Sequence, residues 1–93
     1  MKLKYIGDMK RLEEFGFKKR FCQNTGKLLS YNLNKNIKES RVFVQIDCTD
    51  NILQLAYGIY CSVDDTAIID FYASLIFEFT KSHCLEKVED NND

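Results

Sequence analysis

The sequence predicts an α+β domain: a four-stranded antiparallel meander in the order α-β-β-β-β-α, with a short N-terminal and a long C-terminal helix on one face. Four central segments alternate apolar and polar residues at the period of a strand, and turn residues separate them. Both ends carry apolar residues at helical spacing behind an Asp. The links between the strand-like segments are too short for the crossovers that parallel pairs need, so neighbours should run antiparallel.

Residues 1–6 are open between an extended arm and an early start of the first helix, with Leu3 and Ile6 as the apolar contacts. Asp8 reads as an N-cap, Met9, Leu12 and Phe15 follow at helical spacing, and Gly16 reads as the stop, which gives a helix over 8–15. Residues 17–23 form the first strand. Phe17, Phe21 and Gln23 share one side, and Lys18, Arg20 and Cys22 share the other. Lys19 interrupts the apolar side and marks an edge strand. Asn24, Thr25 and Gly26 signal a tight turn, and 28–33 returns with Leu29, Tyr31 and Leu33 inward. Residues 34–40 read as a polar loop. Residues 41–47 place Val42, Val44 and Ile46 inward, with Arg41, Phe43, Gln45 and Asp47 outward. A turn at 48–51 leads to a strand over 52–61, with Leu53, Leu55, Tyr57, Ile59 and Cys61 on one face. The long helix opens at 63–66, where Asp64 and Asp65 suit the positive end of the helix dipole. It buries Ile68, Tyr72, Leu75, Ile76 and Phe79 and exposes Asp70, Ser74 and Glu78. The helix fades over 81–84, and Leu85 and Val88 add a last apolar contact. One domain therefore spans 1–88, and 89–93 is an acidic, disordered tail.

Ninety-three residues, 45% of them hydrophobic and 29% charged, suit one globular core. No apolar run approaches the roughly 20 residues that cross a bilayer, and the first residues lack the apolar centre of an export signal. A cytoplasmic protein without membrane contact is expected. In that compartment Cys22, Cys48, Cys61 and Cys84 are reduced. Their spacing lacks the close pairs of a zinc site. His83 and Cys84 are adjacent, and neighbours on a helix diverge by about 100°, so they do not form a nucleophile and base. Asp47, Asp50 and Asn51 are the residues that tight turns use. The chain has no phosphate-cradling glycine loop and no nucleophile elbow. An enzyme is not expected, nor a cofactor or a metal.

Charge is sorted along the chain. Up to Arg41 there are eleven Lys and Arg against four acids, a balance of +7; from Val42 onward the balance is −8. Residues 42–80 contain six carboxylates and no Lys or Arg. Sorting of this kind points to partners. If the two stretches fold into separate patches, the acidic half and any exposed aromatics form a protein-binding surface. Its candidates are Asp64, Asp70, Phe77, Glu78, Phe43 and Tyr60. The alternative is a nucleic-acid-binding module on the first hairpin, using Lys18, Lys19, Arg20 and Lys27 beside Phe17 and Phe21. A homodimer of unknown role is the third reading.

The segment Leu12-Glu13-Glu14-Phe15-Gly16-Phe17-Lys18-Lys19, a helix ending in Gly-Phe, and the closing Cys84-Leu85-Glu86-Lys87-Val88-Glu89 after a long helix carry a resemblance. The chain resembles the small uncharacterised proteins of phages and mobile elements in A+T-rich Gram-positive bacteria. The resemblance implies an accessory protein that acts by binding another protein, with inhibitors of host defence systems such as anti-CRISPR proteins as one instance. It carries over no functional residue.

Overall fold

The computed structural model describes residues 2–37, 40–58 and 66–88. Strand β1 (Lys2–Tyr5) leads to helix α1 (Met9–Glu14). Strands β2 (Lys18–Phe21), β3 (Leu28–Ile37), β4 (Ser40–Asp47) and β5 (Leu53–Gly58) follow, then helix α2 (Thr66–Lys81) and strand β6 (Leu85–Val88). The α+β class holds, and β2-β3-β4-β5 form one antiparallel sheet in chain order.

The predicted order is corrected at both ends. β1 and β6 pair antiparallel as a second sheet, with Lys2 opposite Val88 and Tyr5 opposite Leu85. A single bridge from Lys4 to Ile52, with the Tyr5 amide donating to the Asn51 carbonyl at 2.8 Å, ties β1 to the entry of β5. Leu85 and Val88, expected only as a last apolar contact beyond the helix, thus belong to a strand. The expected tail, 89–93, lies outside the described residues.

Helix α1 is bounded as its sequence dictates. The Asp8 carboxylate accepts from the Lys10 amide at 3.0 Å. At the other end Gly16 takes φ +98°; its amide donates to Glu13 and the Phe17 amide donates to Leu12, a Schellman closure. Phe17 is thereby turned into the core.

Strand β2 is shorter than the predicted 17–23. The chain leaves it after Phe21, because the Gly26 amide donates to the Cys22 carbonyl and the Cys22 amide donates to Lys27. Arg20 faces Ser30 but Phe21 faces Leu28, so Leu29 is the extra residue of a β-bulge. Phe21 and Leu29, expected inward, are 53% and 37% exposed as a result. Strand β3 runs through most of the predicted loop, pairing Asn34 with Phe43 and Asn36 with Arg41. Asn and Lys are poor strand formers, and pairing with β4 overrides that preference. Strand β5 starts at Leu53 and is described to Gly58; Ile59 and Cys61 lie outside the described residues.

Register divides the large sheet into two faces. Tyr31, Val42, Val44, Ile46 and Leu53 point to the core, which they share with Leu12 of α1 and with Ile68, Leu75 and Phe79 of α2. Each such side chain removed from water contributes about 1.5–3 kcal/mol. Phe79 is the hub: its ring lies 5.2 Å from Tyr5, 5.0 Å from Phe15 and 6.1 Å from Phe17. It ties β1, the end of α1 and α2 together. Lys35, also on the inner face, stands over the Phe71 ring at 5.1 Å.

Candidate functional site

Because α2 turns Ile68, Leu75 and Phe79 to the core, its opposite side is fixed. Residues 69, 73 and 77 fall in one stripe at i, i+4 and i+8, and 70, 74 and 78 fall in the stripe beside it. Ile69 and Phe77 are 63% and 64% exposed. Asp70, Ala73, Ser74, Phe77 and Glu78 line one shallow hollow. Of the residues singled out in the sequence, Asp70, Phe77 and Glu78 are brought together here. Ile69 was missed, although counting back two turns from Phe77 finds it. Asp64 and Tyr60 lie outside the described residues. Phe43 is half-buried on the outer face of the large sheet, between Asn34 and Ala56. The sheet stands between Phe43 and α2, so Phe43 does not belong to the helix face.

The basic hairpin also divides by face. Lys18 and Arg20 point outward opposite Asn32 and Ser30. Lys19 points to the helix side, 3.4 Å from the Glu13 carboxylate in an exposed ion pair. Lys27 and Arg20 border a groove of about 540 Å³ with Ser30, Gln45, Asp47 and Thr49. Ser30 is buried, and its hydroxyl donates to Asn32 Oδ1 at 3.0 Å. On this outer face Lys18, Asn32, Gln45 and Gln54 form one cross-strand row, and Arg41 sits beyond Phe43 on β4. None of these neighbours could be aligned without the register.

The expected separation of charge is found in part. Asp70 and Glu78 share the helix hollow with no basic side chain in its lining. On the outer sheet face Lys18, Arg20, Lys27 and Arg41 stand against Asp47, the one acid that the register places there among the described residues. Mixing occurs in the small sheet, where Glu86 is directly opposite Lys4.

The remaining candidates have local roles. The Thr49 amide donates to Asp47 Oδ1 at 2.8 Å and holds that carboxyl below the usual range. The Ile52 amide donates to Asp50 Oδ1 at 3.0 Å. Both are Asx turns. His83 is exposed with φ 59°, and the Cys84 amide donates to Phe79 to close α2. Cys84 is buried and points to Gly7, where an added Cβ would lie 2.5 Å from its sulfur. His83 and Cys84 therefore face different surroundings. Thr25 donates to Cys22 and holds its thiol below the ordinary value; burial pushes the Cys48 thiol up. Cys22, Cys48 and Cys84 are free thiols. Among the described residues no three His, Cys, Asp or Glu side chains converge as metal ligands do. No helix among them is long and apolar enough to cross a membrane.

No family model matches the chain, and neither curated proteins nor solved structures give a significant match.

Proposed function

We propose that the protein is a non-catalytic binding module whose helix α2 docks into another protein. Phe77 and Ile69 enter an apolar socket, and Asp70 and Glu78 meet cations on its rim. The observation that carries this reading is the exposure of two large apolar side chains on one helix face. A core needs neither of them there, and each contributes about 1.5–3 kcal/mol once buried by a partner. The two flanking carboxylates supply the partner's chemistry, since charge complementarity raises the encounter rate and rejects acidic surfaces. The resemblance to accessory proteins of phages and mobile elements supplies a setting, in which the partner is a basic groove on a host defence protein.

Affinity capture from host lysate tests this with two variants of the whole chain. The wild type is expected to retain a saturable partner. Ile69→Ser/Phe77→Ser and Asp70→Lys/Glu78→Lys should each reduce recovery at least tenfold, and the second effect should shrink in high salt. Equal recovery by all three proteins contradicts the reading. So does a doubled mass by light scattering that Phe77→Ser returns to that of one chain, because the face would then be covered by a second copy.

A further inference from the structure

We infer that the outer face of the large sheet is a binding site for single-stranded nucleic acid. The inference stands apart from the helix reading, because the two surfaces lie on opposite sides of the sheet. Asn34, Asn36, Arg41, Gln54 and Ala56 are exposed on this face, and register places its side chains in rows. Lys18, Asn32, Gln45 and Gln54 form one row; Asn34, Phe43 and Ala56 form the next; Asn36 and Arg41 form the last. Rows are about 7 Å apart along a strand, and strands about 4.8 Å apart across the sheet. From Arg41 to Asp47 the face is therefore about 20 Å long, the span of a few extended nucleotides.

Charge selects the ligand. The chain as a whole is formally −1, yet this face presents Lys18, Arg20, Arg41 and, at its rim, Lys27 against Asp47. A polyanion is the complementary partner. The groove beside Arg20 and Lys27 tracks one end of it. Phe43 and the amides select a single strand. A base can stack on an aromatic ring only when it is unpaired, and carboxamides donate to and accept from base edges that pairing would occupy. Lys19 takes no part, because it points to the other side and pairs with Glu13.

Fluorescence anisotropy of a labelled, mixed-sequence single-stranded DNA of about ten nucleotides tests the inference, with the same sequence as a duplex for comparison. Low-salt binding is expected in the range of about 1–100 µM, with a log–log salt slope near about −2.8 if all four cations meet phosphates. The duplex should bind at least about tenfold more weakly. Lys18→Ala/Arg20→Ala/Arg41→Ala should lower affinity about 30-fold or more and cut the slope to about −0.7. Phe43→Leu, which keeps an apolar side chain of similar bulk, should weaken binding about tenfold without changing the slope. Ile69→Ser/Phe77→Ser should leave binding intact. No binding at low salt, equal affinity for the duplex, or an unaffected triple variant or Phe43→Leu overturns the inference.

Discussion

Tyr5 shows how one side chain couples the small sheet to the core and to pH. It is fully buried against Phe79, and its hydroxyl donates to the Asp8 carbonyl at 2.7 Å. Burial, followed by the neighbouring Cys84, raises its phenol above the ordinary value of about 10. A group with a raised folded pKa contributes stability that is complete below its unfolded value and is lost as pH climbs through the folded one. The protein should therefore lose stability above about pH 10. Tyr5→Phe should cost about 1 kcal/mol near neutrality, where the Asp8 carbonyl loses its donor. It should also flatten part of the alkaline decline; Tyr72, raised by burial as well, keeps the rest. Urea titrations across the alkaline range check both effects, and an unchanged alkaline slope contradicts the assignment. At this scale the sequence was readable where a side chain acts on its own backbone. Asp8 and Gly16 cap α1 as expected. His83 was placed correctly at the helix end, but its positive φ was not foreseen, because glycine normally takes that position.

Among the elements, α2 separates core side chains from surface ones most clearly. Leu75 and Phe77 are two residues apart, one buried and the other largely exposed. Leu75→Ala should cost about 2–5 kcal/mol by leaving a cavity. Phe77→Ser should stay within about 0.5 kcal/mol, since the native state gives that ring little cover. Thermal or urea unfolding checks the pair, and a large loss for Phe77→Ser would place the ring in the core. The elements that the sequence revealed are those whose pattern is local. β4 alternates without exception from Val42 to Ile46, and α2 keeps its apolar stripe. β6 escaped, and β1 stayed open between an extended arm and a helix start, because each has four residues and their partners lie at opposite ends of the chain. β3 was cut short because Asn34, Lys35 and Asn36 look like a loop until β4 is laid beside them. The bulge at Leu29 shifted Phe21 and Leu29 out of the core, and nothing in their own residue types announces it.

The whole molecule presents two contrasting surfaces with the sheet between them. One is the apolar and acidic outer side of α2; the other is the cationic, carboxamide-rich outer side of the sheet. The charge sorting along the chain follows the elements, because the basic half supplies β2 and β3 and the acidic half supplies α2. It did not foreshadow which aromatics go with which surface. Grouping Phe43 with Phe77 needed only two outward positions, whereas their separation depends on the sheet lying between them. Alternation already set Lys19 on the apolar side, away from Lys18 and Arg20, but its pairing with Glu13 of α1 depends on how the helix packs. The most direct measurement is photo-crosslinking in cell lysate with benzoylphenylalanine placed at position 77 in one sample and at position 43 in another. A discrete protein adduct from position 77, absent from position 43, is the predicted result. A protein adduct from position 43 with none from position 77 would contradict the account.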